Sequence, residues 1–248
     1  MGYKLPKILI AVPTYEGKNY CLDAFLKNVY NFTYPKDRLD IYIADNSKTN
    51  ANAKMIKKKY GIKTFWKDYG NRYVFDKMAD THNQLRRYFL ASDCDYMLHL
   101  ESDIFPPKDI LEQLLFQRKP IVNGLYMIFD GAWRTPCIAI HPQTHWTHKH
   151  FVFPATLDSS WHDFVDGTCK ETLIAGIGCC LMKRKVAKDF EFRYDPNDLN
   201  KPPDTFFAMD LKNHGVKNYV HTGALCFHYN REDWGRHVEY MDYLKIEE

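Results

Sequence analysis

The first 120 residues of this 248-residue chain alternate four short apolar runs with stretches of helical periodicity. The runs are residues 8–12, 41–44, 64–66 and 96–100. A strand buried on both faces reads as a continuous apolar run rich in β-branched residues, whereas an amphipathic helix repeats apolar residues every three or four positions. The alternation therefore predicts an α/β fold with a mostly parallel sheet flanked by helices.

The later part of the chain has a different pattern. The fourth helix is expected to begin near Pro106, because proline is favoured in the first turn of a helix. From residue 121 to about 180, short β-prone pieces are broken by glycine and proline, which indicates antiparallel ribbons and loops. A helix around residues 206–211 and a strand at residues 224–228 are expected to complete the fold.

Composition and charge narrow the class of protein. Hydrophobic residues make up 45% of the chain, ample for a large core, and basic residues exceed acidic ones by only three, 34 against 31. Nucleic-acid binders usually have a denser basic stripe, so no nucleic-acid partner is expected. Seven cysteines without a CxxC pair argue against a disulfide framework. No apolar segment approaches the roughly 20 residues that span a bilayer, so we expect no transmembrane segment and a cytoplasmic location.

Polar or special residues follow three of the predicted strands. Pro13, Asp45 and Glu101 each stand at a strand's carboxyl end. Ligands of doubly wound sheets bind outside these ends, so one shared crevice is expected. Glu101 and Asp103, one residue apart, would repel each other without a cation between them, and their oxygens suit Mg²⁺ or Mn²⁺ holding a diphosphate. Taken alone, an acid-x-acid triplet is common in proteins and is more typical of a solvated loop.

Six motifs occur along the chain in a fixed order. They are Val12-Pro13-Thr14-Tyr15, Asp45-Asn46-Ser47, His82-Asn83, residues 98–107 around Glu101-Ser102-Asp103, Gly176-Ile177-Gly178 and residues 204–215. In order and spacing this set resembles the family 2 type nucleotide-sugar glycosyltransferases of the GT-A fold. The similarity extends from about residue 8 to residue 228, and no single motif carries it.

The resemblance implies a binding site for the donor nucleotide. It assigns nucleoside contacts to the first two strand ends and further donor contacts to the third, and Asn83 matches a family position near the donor. Asp45 could instead cap the following helix, and Asn83 could be an ordinary helix-face amide. The implied donor-binding residues are Pro13, Thr14, Tyr15, Glu16, Asp45, Asn46, Asn83, Glu101 and Ser102.

The resemblance also implies a Mn²⁺ or Mg²⁺ cofactor. Glu101-Ser102-Asp103 is similar to the family's Asp-x-Asp metal motif, with Glu in place of the first Asp. By the family pattern Asp103 coordinates the metal most directly, while Glu101 is a further ligand or reaches sugar or ribose hydroxyls. His228 is similar to a metal ligand that follows the final strand, and imidazole is acceptable to Mn²⁺. A packed or surface histidine is the alternative for His228.

Asp204 is the implied catalytic residue. Pro203-Asp204 is similar to the family's acidic pair before a helix, but Pro replaces the first acid. As general base, Asp204 would take the proton of the acceptor hydroxyl while that oxygen attacks the anomeric carbon. Helix N-capping is the alternative role for this aspartate.

These features together predict a metal-dependent glycosyltransferase. We expect one GT-A domain over residues 1–248, with a nucleotide-binding half at 1–120 and an acceptor-binding half at 121–248. The expected donor is a UDP- or GDP-sugar, the acceptor is a hydroxyl of a glycan or protein, and inversion is favoured. Two alternatives remain open at this stage. One is a sugar-phosphate nucleotidyltransferase, disfavoured by the lack of a Gly-rich basic loop after the first strand; the other is a noncatalytic sugar-binding or scaffold protein.

A histidine cluster and several tryptophans lie in the second half. Four imidazoles within ten residues could bind zinc, but no Cys or acidic partner joins them at a recognised spacing, so a polar loop on the acceptor side is preferred. The tryptophans could stack on sugar rings or pack in the core. These residues are His141, His145, His148, His150, Trp133, Trp146, Trp161 and Trp234.

Overall fold

The computed structural model describes residues 5–129, 134–139 and 165–229. Eight strands form the central sheet: β1 (Ile8–Thr14), β2 (Leu39–Asp45), β3 (Lys63–Trp66), β4 (Tyr96–Leu100), β6 (Ile121–Leu125), β10 (Cys169–Thr172), β12 (Cys179–Lys183) and β13 (Asn218–Leu225). Six shorter strands form paired ribbons: β5 (Ile104–Phe105), β7 (Met127–Phe129), β8 (Arg134–Pro136), β9 (Ile138–Ala139), β11 (Ile174–Ala175) and β14 (Phe227–His228).

The order of the central sheet is β10-β13-β6-β12-β4-β1-β2-β3. The four apolar runs of the sequence become β1, β2, β3 and β4, and neighbours among them pair in parallel. The strand β12 lies antiparallel between β4 and β6, while β13 runs parallel to β6 and β10 is antiparallel to β13. The predicted α/β fold with a mostly parallel sheet is confirmed.

Helices cover both faces of the sheet. Successive side chains of a strand point to opposite faces, so the apolar residues of each strand form two cores, one on each face. Ile8, Ile10 and Val12 pack on one side of β1, and Leu9 and Ala11 on the other. The first face holds α1 (Asn19–Tyr30), α2 (Ala51–Tyr60) and α4 (Ile110–Phe116), and the second holds α3 (Val74–Ala91), α5 (Arg184–Asp189) and α6 (Pro203–Asn213).

Two local details concern the start of α4, which differs from the sequence expectation, and the turn that follows β4. The helix α4 begins at Ile110 after Asp109, later than Pro106, and the carbonyl of Pro107 accepts the Ile110 N–H at 3.0 Å. The strand β4 ends at Leu100, so residues 101–103 form a turn, which the Ile104 N–H closes on the Glu101 carbonyl at 2.9 Å. This turn, rather than strand geometry, sets the directions of Glu101 and Asp103.

Within the described ranges, no helix is both long enough and apolar enough to cross a membrane.

Candidate functional site

A cleft of about 510 Å³ opens where β1, β2 and β4 end. The hydroxyls of Thr14 and Ser102 hydrogen-bond across it at 3.0 Å, and the Asn46 N–H donates to the Thr14 carbonyl at 3.0 Å. The strand ends therefore meet in one crevice. The lining residues are Pro13, Thr14, Tyr15, Glu16, Lys18, Asn46, Lys48, Val74, Lys77, Met78, Thr81, His82, Glu101, Ser102 and Asp103.

The loops that follow β1 and β2 are tied to each other at the mouth of the cleft. The Glu16 N–H donates to the Ser47 hydroxyl at 2.8 Å, and a Glu16 carboxylate oxygen accepts the Lys48 N–H at 3.3 Å. Tyr15 is 43% exposed at the cleft wall, and its ring lies over Gly17, where an added Cβ would stand 2.2 Å from a ring carbon. A side chain at position 17 would therefore displace the Tyr15 ring.

Asp103 lies at one end of the cleft and is only 2% exposed. Its Oδ2 accepts a hydrogen bond from the Lys18 ammonium and lies 3.3 Å from Nε2 of His228. The backbone is fixed as well, because the Asp103 carbonyl accepts the Tyr229 N–H at 2.7 Å. Burial alone would raise the pKa of Asp103, but His228 and Lys18 outweigh it and hold this pKa below its usual value.

His228 reaches Asp103 because β14 pairs antiparallel with β5, which places His228 opposite Ile104. Its Nδ1 lies 3.0 Å from the Met127 carbonyl, an acceptor only, so Nδ1 carries a proton. Nε2 is thereby directed at the Asp103 carboxylate. Burial lowers the pKa of His228, but contact with Asp103 outweighs burial and raises it above its usual value.

Glu101, at the same strand end, is held in a different charge state. Burial raises its pKa to about 7, and the negative charge of Asp103 acts in the same direction. Its N–H donates to the Gly178 carbonyl at 2.9 Å, which joins the turn to the Gly176-Ile177-Gly178 segment. The two acids of the motif therefore differ, Asp103 being ionised at neutral pH and Glu101 poised near its midpoint.

Asp204 lies in the first turn of α6, after the N-cap Pro202. Its Oδ1 accepts the Thr205 N–H at 2.8 Å, and burial raises its pKa to about 6. Its charge also raises the pKa of Glu101, so the two carboxyls are within electrostatic reach. An ionised carboxylate with a pKa near 6 is suited to accepting a proton at neutral pH.

The donor set fits a divalent cation that shares its coordination with phosphate. Among the described residues no three His, Cys, Asp or Glu side chains converge as a metal cluster, but Oδ2 of Asp103 and Nε2 of His228 lie 3.3 Å apart, close enough to bind one ion. One or two protein ligands suffice for an ion completed by phosphate oxygens and water. The Lys18 ammonium holds the same Asp103 oxygen, so an ion there has to displace it.

Two residues that the resemblance assigns to the donor do not line the cleft. Asp45 is 1% exposed, and its Oδ1 accepts the backbone N–H and the hydroxyl of Ser47 at 3.0 and 2.5 Å. Its Oδ2 has no hydrogen-bond partner within the described part of the chain. The amide of Asn83 pairs in both directions with the backbone of Phe192, at 2.6 and 3.1 Å. In this structure, both side chains are engaged in contacts outside the cleft.

The cleft also contains residues that the sequence patterns did not assign to it. Lys18 belongs to a turn after β1 that carries no recognised phosphate motif. Lys77, Met78, Thr81 and His82 lie on the α3 face towards the cleft. Met78 and His82 share helical spacing with buried residues of α3. The spacing predicts one continuous face of the helix, and it does not show which residues of that face pack on the sheet and which line the cleft.

The histidine cluster at residues 141–150 and the four tryptophans, Trp133, Trp146, Trp161 and Trp234, lie outside the described residues.

Comparison with known proteins finds similarity in structure alone. No protein-family model matches the chain, and no curated protein matches its sequence. TarS 1–349 from S. aureus, solved in complex with UDP, matches with a TM-score of 0.56 at 14% identity over 89% of this chain. The mannosyltransferase PcManGT from Pyrobaculum calidifontis, in complex with GDP-Man and Mn²⁺, matches with a TM-score of 0.58 at 12% identity over 98% of this chain. A197 from STIV matches with a TM-score of 0.50 at 15% identity over 91% of this chain and 87% of its own.

The chain covers 60% of the TarS fragment and 65% of the mannosyltransferase, less than two thirds of either. The matches show that the chain has the GT-A type fold of nucleotide-sugar glycosyltransferases, which is the fold that the sequence resemblance implied.

Proposed function

We propose that the protein transfers a sugar from a UDP- or GDP-sugar to a hydroxyl of a glycan or protein acceptor. The observation that carries this proposal is the convergence of three strand ends on one cleft whose floor holds the buried Asp103 carboxylate beside His228 and Lys18. The fold is shared with proteins solved with UDP and with GDP-Man and Mn²⁺. We also propose the division into a nucleotide-binding half at 1–120 and an acceptor-binding half at 121–248.

Charged and apolar residues both line the cleft, and we propose that they orient the donor. Lys18 and Asp103 supply charge, and Val74 and Met78 supply apolar surface on α3. A diphosphate belongs beside Lys18, where an ammonium can bind its oxygens, and a flat base suits the apolar surface. Tyr15, exposed at the wall, offers a ring face to the nucleoside.

Asp103 and His228 would hold Mn²⁺ or Mg²⁺, which neutralises charge on the departing diphosphate when bound. Two other charged groups of the cleft contact the donor directly in this proposal. Lys18 turns from Asp103 to a phosphate oxygen, and Glu101, near its midpoint at neutral pH, can exchange a hydrogen bond with a sugar or ribose hydroxyl.

Asp204 is the proposed general base. The acceptor oxygen gives its proton to the carboxylate, forms a bond to the anomeric carbon, and the bond from that carbon to the diphosphate oxygen breaks. The nucleoside diphosphate leaves with the electron pair, and a single displacement of this kind inverts the anomeric centre. Oδ1 of Asp204 is held by the Thr205 N–H, which leaves Oδ2 to receive the proton.

Thermal unfolding in the presence of donors tests this proposal. A ligand that binds only the native state raises the melting temperature, so we expect a UDP- or GDP-sugar to raise it, and more so with Mn²⁺. CMP- and dTDP-sugars complete the panel. Absence of a shift with every nucleotide sugar, in a folded sample, would contradict the proposal and favour the noncatalytic scaffold.

A further inference from the structure

Two buried histidines form a hydrogen-bonded pair behind the cleft, and the proposed chemistry does not use them. His82 on α3 is 3% exposed, and His99 on β4 is fully buried. Nδ1 of His82 lies 3.0 Å from Nε2 of His99, and Nδ1 of His99 lies 2.8 Å from the Ile177 carbonyl. The hydrogen bonds thus run from the Ile177 carbonyl to His99 and from His99 to His82, and His82 itself lines the cleft.

The backbone carbonyl fixes the position of every proton in this chain of contacts. A carbonyl oxygen only accepts, so Nδ1 of His99 must carry a proton. In a neutral ring the other nitrogen, Nε2 of His99, then has a lone pair and accepts from His82. Nδ1 of His82 therefore carries the proton of that ring, and Nε2 of His82 is left as an acceptor.

Both rings are neutral at ordinary pH. His99 is fully buried, and neither of its hydrogen-bond partners, the Ile177 carbonyl and His82, is a carboxylate, so a charge on its ring would be costly. Burial also holds the pKa of His82 well below its usual value, with the neighbouring His99 as a further cause. The alternative in which a charged His82 donates from both nitrogens is therefore excluded near pH 7.

The remaining ring nitrogen, Nε2 of His82, can contact a ligand in the cleft. Nδ1 of His82 is occupied by His99, the ring packs against Phe192 with centroids 5.1 Å apart, and His82 is part of the cleft wall. Among the described residues none hydrogen-bonds Nε2. His82 as a residue is 3% exposed and lines the cleft, so the acceptor Nε2 can be reached only from the cleft, where an N–H or O–H of a ligand can replace water.

We infer that Nε2 of His82 accepts a hydrogen bond from an N–H or O–H group of the donor's nucleoside, and that His99 is the positioning residue which enforces this tautomer. The inference rests on the proposed function. A phosphate oxygen is itself an acceptor and cannot fill this role, which agrees with a diphosphate at the Lys18 end. The ligand group is therefore a base N–H or a ribose hydroxyl, and the two can be separated by experiment.

The tautomer is tested first, without ligand. Nitrogen-15 NMR of the labelled protein distinguishes protonated from unprotonated ring nitrogens, and we expect Nδ1–H with a bare Nε2 in both His82 and His99. A His99→Leu variant removes the acceptor for Nδ1 of His82, and the His82 signal should then move towards a mixture of tautomers. A protonated Nε2 on His82 in the wild-type protein would overturn the inference.

The contact is tested by calorimetric binding of UDP, N3-methyl-UDP, 2′-deoxy-UDP and 3′-deoxy-UDP, or the corresponding GDP series with N1-methyl-GDP where GDP binds more tightly. One of the three analogues should bind the wild-type protein about tenfold more weakly than the parent nucleotide does, because it lacks the group that donates to Nε2 of His82. The same analogue should bind His82→Phe less than about twofold more weakly than the parent nucleotide does. His214→Phe, a change at the exposed histidine that caps the C-terminal end of α6, should behave as the wild-type protein does.

Sensitivity to the methyl analogue identifies a base N–H, and sensitivity to a deoxy analogue identifies a ribose hydroxyl. Equal losses in the wild-type protein and His82→Phe for all three analogues would overturn the inference. Tight binding of UDP or GDP in that case would leave the proposed function intact, whereas failure of both nucleotides to bind would contradict the proposed function and the inference together.

Discussion

Asp204 is the single residue on which the proposed proton transfer depends. Replacement by asparagine keeps the size of the side chain and the contact with Thr205 but removes the base, so we expect kcat to fall about 10²- to 10⁴-fold. The Kd for the nucleotide should stay within about twofold, since Asp204 does not line the donor cleft. Steady-state kinetics and calorimetry check the two parts, and unchanged kcat would remove Asp204 from the mechanism.

The pKa of Asp204 also predicts how activity depends on pH. The base must be ionised, so kcat/KM should rise with pH through about 6 and level off above it. The rise should be absent from the residual activity of Asp204→Asn. A wild-type profile that falls with increasing pH between 5 and 7 would have the wrong sign for a carboxylate base.

Lys18 sets the affinity for metal before the nucleotide binds. Its ammonium holds the oxygen of Asp103 that an ion would use, so Lys18→Met should bind Mn²⁺ more tightly than the wild-type protein, by about tenfold. Electron paramagnetic resonance of free Mn²⁺ measures this affinity without turnover. Lys48→Met is the matched control, since Lys48 lines the same cleft while exposed and should leave Mn²⁺ affinity unchanged. Equal or weaker binding of Mn²⁺ by Lys18→Met would contradict the competition between the Lys18 ammonium and Mn²⁺ for the Asp103 oxygen.

At the scale of elements, α3 is joined to α5 through a buried arginine. Arg86 donates to the carbonyls of Ala187 and Lys188 at the end of α5, the second at 3.0 Å, and to Glu191 at 2.9 Å. Arg86→Met leaves these carbonyls without their donor, so the free energy of unfolding should fall by about 2–3 kcal/mol. Urea unfolding measures the loss. Arg87→Met, the exposed neighbour, should cost less than about 1 kcal/mol, and equal costs for both would contradict the role of Arg86.

The elements themselves were largely predictable, and the site was predictable only in part. Continuous apolar runs identified β1 to β4, most clearly β1 and β4, which are almost fully buried, whereas β2 is partly buried and β3 is a partly exposed edge strand. Position along the chain does not show which way a turn directs its side chains, so the Lys18 contact with Asp103 had no signal in the sequence. The buried pair of His82 and His99 was equally hidden, because it joins a residue of a helix to a residue of a strand 17 positions later in the chain.

At the scale of the whole molecule, the neutral buried histidines make stability depend on pH. The pKa of His99 is about 4 in the folded protein against an ordinary value of 6.5 for histidine, so the unfolded chain binds more protons between these values. Stability should therefore be fully present above about pH 6.5 and be lost as pH falls towards 4. The contribution of His99 is about 3 kcal/mol for a difference of this size.

Urea unfolding of the wild-type protein and His99→Leu at pH 7 and pH 4 measures this contribution. The variant should be less stable at pH 7, because the Ile177 carbonyl loses its donor, but it should lose less stability on acidification. An identical loss in both proteins would show that His99 does not resist protonation in the folded state.

Release of nucleoside diphosphate from a UDP- or GDP-sugar tests most directly whether the cleft performs sugar transfer. We expect Mn²⁺-stimulated release by the wild-type protein and by Asp189→Asn, whose carboxylate is exposed and paired with Lys185 on α5. Asp103→Asn should reduce release at least about 100-fold while remaining folded. Equal release by Asp103→Asn and the wild-type protein, or no release from either sugar nucleotide by a folded wild-type protein, would contradict the assignment of this cleft to glycosyl transfer.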